Sequence, residues 1–182
     1  KELYLLNDIK KNKIFVGGVA HFDYYFKQNF EFNKLKNFKK LSKEKKIIFY
    51  ATKSPRRFPW GPEVVRKVAN AIINKEITED AHLLVRVHPL HFRKSKMYDF
   101  NKIIDEYLKI EKEFECVSIN IPIIQSNKIN FDMDDQEMSL TAEILNNSSV
   151  MINMFSTMII EASIYIDDNP QIITDAIIVE FN

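Results

Sequence analysis

The chain reads as an α/β domain, a Rossmann-like parallel sheet of about five strands with helices on both faces. Three observations lead there. From Lys46 onward, short β-prone apolar runs alternate with longer segments of helical periodicity. That alternation specifies parallel neighbours, because each parallel pair needs a crossover whereas an antiparallel pair needs only a tight turn. The composition, 46% hydrophobic and 28% charged over 182 residues, is that of a globular chain able to bury one substantial core.

Residues 1–45 differ from the rest and read as an interdomain linker. They are rich in Lys, Asn and Phe, and only Lys13 to Val16, closed by Gly17-Gly18, has the pattern of a short strand. Lys34 to Lys46 holds seven lysines and one glutamate, the composition of a solvated helix face or loop. Peripheral contact with an acidic lipid surface would need such charges clustered beside a second anchor.

The domain proper spans residues 46–182. Ile47 to Ala51 is the first strand, followed by the loop Thr52 to Trp60 and by Gly61-Pro62, where proline suits the first helical position. Val64, Val65, Val68, Ala69, Ile72 and Ile73 then form one helical stripe. Leu83 to Val87 is the second strand, and Phe100, Ile103, Ile104, Tyr107 and Leu108 mark the second helix. Cys116 to Ile124 reads as a third strand, short or at an edge because of Pro122. Gln136 to Asn146 is a third helix capped by Asp134 or Asp135. Val150 to Phe155, Ser156 to Ile166 and a run beginning at Gln171 to Ile173 complete the series as strand, helix and fifth strand.

Several classes are set aside. With 26 basic and 25 acidic residues the net charge is +1, so no whole-molecule field favours nucleic acid. One cysteine, Cys116, excludes an internal disulfide framework, fits a reducing cytoplasm and reads as a small core residue. No apolar run reaches the roughly 18–20 residues of a membrane span. There is no G-x-x-x-x-G-K-[ST], G-x-G-x-x-G or H-E-x-x-H, so no metal site or bound cofactor is expected. The acidic residues Asp132, Asp134, Asp135 and Glu137 read as a loop with a helix cap rather than a cation site.

Ligands of parallel sheets sit beyond the carboxyl ends of the strands, which directs attention to three stretches. In Asn153-Met154-Phe155-Ser156-Thr157 a strand gives way to a helix, so free amides and the helix dipole face outward, with two hydroxyls beside them. Phosphate suits that position, and Glu161, one turn deeper, could accept hydrogen bonds from the two hydroxyls of a ribose. The plainer reading is an N-cap with an acidic first turn. In Val85-Arg86-Val87-His88-Pro89, Arg86 and His88 project to one side of the strand end. Arg86 could pair a diphosphate and His88 could donate to a phosphate oxygen or the departing nucleotide; a structural salt bridge and a hydrogen-bonded imidazole are the alternatives. In the loop Thr52 to Trp60, Thr52, Lys53, Ser54 and Arg56 could meet phosphate and the aromatics could stack on a base, although Trp60 reads first as a packing anchor.

Tyr50-Ala51-Thr52 with Ser54-Pro55, then Val85-Arg86-Val87-His88-Pro89, then Val150 to Asn153 leading to Ser156-Thr157-Met158 and Glu161-Ala162, resembles the carboxyl-terminal domain of GT-B glycosyltransferases. The pattern is similar to that of bacterial enzymes of surface-polysaccharide assembly and of the CDP-glycerol glycerophosphotransferase-like group. Lys13 to Gly18 with His21-Phe22-Asp23 is similar to the crossing from the amino-terminal domain. The resemblance implies a metal-independent donor-binding domain for a nucleotide sugar. Ser156, Thr157, Arg86, Thr52, Lys53, Ser54 and Arg56 would lie at the diphosphate, Glu161 at the ribose and His88 in the catalytic position. A glycan would be the acceptor, bound by an amino-terminal domain that this chain, opening at Lys1, does not include. Tyr165 to Pro170 departs from the family pattern, being longer and without glycine. A nucleotide-sugar epimerase of the same architecture and a non-catalytic Rossmann-like interaction module are the alternatives.

Overall fold

The structure, a computed structural model, describes residues 10–15, 17, 22–23, 25–26, 32–38, 40–77, 80–92, 100–126, 131–154 and 156–164. Strand β1 (Lys46–Ala51) leads into helix α1 (Gly61–Ile73), β2 (Ala81–Arg86) into α2 (Asn101–Glu113), and α2 into β3 (Val117–Asn120). A hairpin of β4 (Ile124–Ser126) and β5 (Phe131–Met133) precedes α3 (Asp135–Asn147), β6 (Ser148–Asn153) and α4 (Met158–Ser163). β3, β2, β1 and β6 form one parallel sheet in that order, while β4 and β5 pair antiparallel on their own. The domain is therefore Rossmann-like α/β, with four strands in the sheet among the described residues. Its winding reverses between β1 and β6.

Alternation along the strands divides the core in two. Ile48, Tyr50, Leu83 and Val85 meet Val64, Val65 and Ala69 of α1 and Tyr107 and Ile110 of α2. Ile47, Phe49, Ala51, Leu84 and Met151 meet Leu35, Ala142, Ile144, Leu145 and Ala162 on the other side. Burying each large aliphatic side chain contributes about 1.5–3 kcal/mol, so these two layers supply most of the drive to fold. The stripe expected on α1 is present except at its end, where Ile73 is 56% exposed. Gly61 opens α1 because the Tyr107 hydroxyl occupies the space a Cβ would take.

Part of the segment expected to be a linker belongs to this core. Tyr25, Phe32, Leu35 and Leu41 are buried against the face carrying α3 and α4. Buried Glu143 of α3 accepts hydrogen bonds from the amides of Lys34 (2.8 Å) and Leu35 (2.9 Å), capping the short 3-10 turn Leu35–Asn37. The lysine run is partly spent on backbone carbonyls. Lys34 Nζ donates to Gln136 (3.1 Å), and Lys40 Nζ to Glu111 (2.6 Å) and Phe114 (3.3 Å), where it complements the carboxyl end of α2.

Elsewhere the structure corrects the sequence-based boundaries. Lys11–Lys13 is a 3-10 turn, and residues 13–15 form no strand. The expected third strand from Cys116 to Ile124 is split: β3 ends at Asn120, before Pro122, and Ile124 starts the separate hairpin. Proline cannot donate to a ladder, and Glu111 Oε1 takes the outward amide of Ile119 (2.8 Å), which blunts the free edge of β3. β6 starts at Ser148, directly after α3, rather than at Val150. Asn147 Nδ2 donates to Glu143 (2.8 Å) and Ser148 Oγ to Ile144 (2.6 Å), so side chains satisfy the last helical carbonyls without a turn. Asp134 is the cap of α3, its carboxylate accepting from the Glu137 amide at 2.9 Å. α4 begins at Met158 rather than Ser156, and the expected fifth strand at Gln171 to Ile173 lies outside the described residues.

Candidate functional site

The reversal of winding brings two of the three stretches side by side. Ala51 and Asn153 are register partners at the carboxyl ends of β1 and β6, so the loop Thr52 to Trp60 and the turn before α4 open from adjacent strands. Phe58 from one loop and Met154 from the other pack on the same apolar cluster. Such switch points are where parallel α/β sheets receive ligands.

Asn153 shapes the turn. Its Oδ1 accepts from the Ser156 amide at 2.9 Å and its Nδ2 donates to the Ser156 carbonyl at 3.1 Å. Ser156 Oγ in turn accepts from the Met158 amide at 3.3 Å, which leaves Thr157, an exposed residue with no side-chain cap bond, at the helix start. Sequence reasoning missed Asn153; the available signal was an amide side chain at a strand end three residues before a serine.

The loop after β2 is tied to the loop after β1. The Thr52 amide donates to the Arg86 carbonyl (3.0 Å), and Thr52 Oγ1 accepts from the His88 amide (2.8 Å). Thr52 is 3% exposed, so with these two bonds it braces the two loops where the sequence reading expects a phosphate contact. His88 is half-buried. Its Nδ1 accepts from the Leu90 amide at 3.1 Å, which assigns the proton of the neutral ring to Nε2, and burial holds its pKa below the usual value. Nε2–H is thus a neutral donor. Behind it, His91 Nδ1 bonds the His88 carbonyl (2.9 Å), with the His91 ring edge-on to Phe100 and Tyr107.

Arg86 and Glu161 depart furthest from expectation. Arg86 is 4% exposed, pairs with Glu137 Oε2 at 2.9 Å and donates to Asn120 Oδ1. Burial lowers its pKa and Glu137 opposes that shift, with Tyr25 and Glu161 adding to the opposition. The guanidinium stays charged and committed to internal partners, the structural salt bridge rather than the diphosphate contact. Glu161 is half-buried and its Oε2 accepts from the Tyr25 hydroxyl at 3.0 Å, in the field of Arg86. Glu137, read from sequence as part of a loop and cap, is a buried member of this network.

The cationic loop stands outward. Ser54 turns the chain, its carbonyl accepting from the Arg57 and Phe58 amides at 3.0 Å each. Lys53 and Ser54 are half-buried, and Arg56 and Arg57 are exposed. Trp60 is 53% exposed, not the buried anchor expected. A cavity of about 470 Å³, lined by Lys40, Glu111, Lys112 and Ser118 among others, shares no residue with these loops.

Fold and edge together define a Rossmann-like domain whose topological switch point is flanked by a cationic loop and a hydroxyl-bearing turn. Comparison with protein-family models, curated proteins and solved structures gives no match to this chain. Among the described residues no helix is long and apolar enough to cross a membrane.

Proposed function

We propose that the domain binds the nucleotide-sugar donor of a two-domain GT-B glycosyltransferase, in the crevice between the loops after β1 and β6. The observation that carries this reading is the reversal of winding at β1 and β6, with Ala51 and Asn153 in register beneath both loops. The motif order from Tyr50 to Ala162 supports the same conclusion.

On this reading Ser156, Thr157, Lys53, Ser54, Arg56 and Arg57 bind the diphosphate. The neutral His88 Nε2–H donates to the oxygen on which charge develops as the sugar departs. Arg86 is a positioning residue, acting through Glu137 and Asn120. Glu161, whose Oε2 accepts from Tyr25, serves as an acceptor for the ribose hydroxyls, since a carboxylate takes more than one hydrogen bond. Transfer to a glycan hydroxyl requires the acceptor domain, and the donor supply implies a cytoplasmic site. Isothermal titration of the chain with UDP, CDP and GDP tests the proposal: one should bind saturably and lose affinity as salt is raised. No saturable binding by any of them would remove the donor reading.

A non-catalytic Rossmann-like interaction module is the second reading, favoured by the burial of Arg86 and its pairing with Glu137. A charge fully engaged in the fold is what a purely structural role predicts. Absence of nucleotide binding would select this reading.

A further inference from the structure

We propose that Trp60 is the platform on which the heterocyclic base of the donor stacks, a step that rests on the donor-binding reading above. The indole is the largest side chain type and is usually hidden, yet here it is 53% exposed. Its orientation is nonetheless held. Phe58, packed against the α1 and α2 cluster, meets Trp60 with ring centroids 5.5 Å apart and an interplanar angle of 76°. An edge-to-face contact occupies at most one face of the indole and leaves the other to solvent.

Position adds direction. Trp60 is the residue from which α1 starts, and its carbonyl accepts from the Glu63 and Val64 amides at 3.0 and 3.3 Å, so the backbone beneath the ring is anchored. It closes the loop that carries Lys53, Arg56 and Arg57, at the carboxyl edge of the sheet. A flat π-face on the same loop as these cations and the Ser54 hydroxyl matches a ligand whose one end is a planar ring and whose other end is an anion. The class of that ligand is a nucleoside diphosphate. Stacking tolerates any base, so Trp60 supplies affinity for a heterocycle, and the choice among bases falls to other groups.

Because Trp60 is the chain's single tryptophan, its emission reports on this site alone. The 182-residue chain is titrated with UDP, CDP, GDP and ADP, and with pyrophosphate, while calorimetry follows binding in parallel. The tightest nucleoside diphosphate should quench Trp60 saturably, and pyrophosphate should leave the emission unchanged. Trp60→Ala should weaken that nucleotide about tenfold, and Trp60→Phe should retain most of the affinity. Thermal melting of both variants checks that the fold is kept. If a nucleoside diphosphate binds wild type and Trp60→Ala equally, the platform is refuted and the donor reading stands. If none of the four binds wild type, the donor reading fails and the platform with it.

Discussion

The two faces of the sheet are built by different physics. The α1 and α2 face is an aliphatic and aromatic layer in which Val64, Val65, Ala69, Val85 and Ile110 interlock, with the Tyr107 hydroxyl fitted against Gly61. The α3 and α4 face has an apolar layer of its own but is laced with buried polar groups: Arg86 with Glu137 and Asn120, Glu143 on the amides of Lys34 and Leu35, and His82 Nε2 with Ser118 Oγ at 2.9 Å. Apolar packing is tolerant of small changes because neighbours relax, whereas a buried charge that loses its partner has nowhere to go. The polar face should therefore be the brittle one, and it is also the face that holds α4 and the start of the candidate site.

The largest effect should come from cutting the ion pair. Glu137→Ala leaves Arg86 buried without its carboxylate, a loss of about 3–5 kcal/mol, while Ile110→Val on the opposite face should cost about 0.5–1.5 kcal/mol. Urea denaturation of the two variants measures the contrast; equal losses would mean that the faces do not differ in this way.

Acid should act next. Burial holds His82 at a pKa of about 4, with Lys45 and Lys40 pushing the same way and Asp80 opposing. Burial likewise holds His91 at about 4, its bond to the His88 carbonyl opposing and the His88 ring adding to the shift. Both rings stay neutral in the fold while the unfolded chain takes up protons near pH 6.5. Stability is thus fully present above about pH 6.5 and is lost as pH falls towards 4, on the order of 1.4 kcal/mol per pH unit for each ring at most. Urea midpoints measured from pH 7.5 to 4.5 should fall accordingly, and His82→Gln should flatten the polar face's share of the slope. A midpoint independent of pH over that range would contradict the burial argument.

The smallest effect concerns a flaw in the apolar face. The Tyr50 hydroxyl is buried without a hydrogen-bond partner, and burial raises its pKa. Tyr50→Phe removes an unsatisfied group, so stability should stay level or rise by up to about 1 kcal/mol. A clear loss in the thermal midpoint would show that the hydroxyl is bonded in solution.

How far each face could be read from the chain follows the same division. The helix of Gly61–Ile73 was legible because its apolar stripe repeats at the helical period, and the strand of Lys46–Ala51 because a short continuous apolar run marks a strand covered on both faces. Capping by Asp134 was legible because a cap acts over three residues. The pairing of Arg86 with Glu137 spans 51 positions, Glu143 reaches back 109 to Lys34, and Tyr25 meets Glu161 across 136, distances over which no local pattern survives. For that reason Arg86 and Glu161 read as ligand groups in the sequence, and Glu137 and Glu143 did not read as core.

By itself the chain determined its class, the alternation of strands and covering helices, and the edge at which Thr52, His88, Ser156 and Thr157 gather. Periodicity and punctuation are local, and parallel strands share one carboxyl edge whatever their order. Only the tertiary structure decided that β6 lies beside β1, that residues near Leu35 complete the core, and that Arg86 turns inward while Trp60 turns out. Those outcomes depend on which distant partner can satisfy a buried charge or cover an apolar face, and that is a property of the packed molecule.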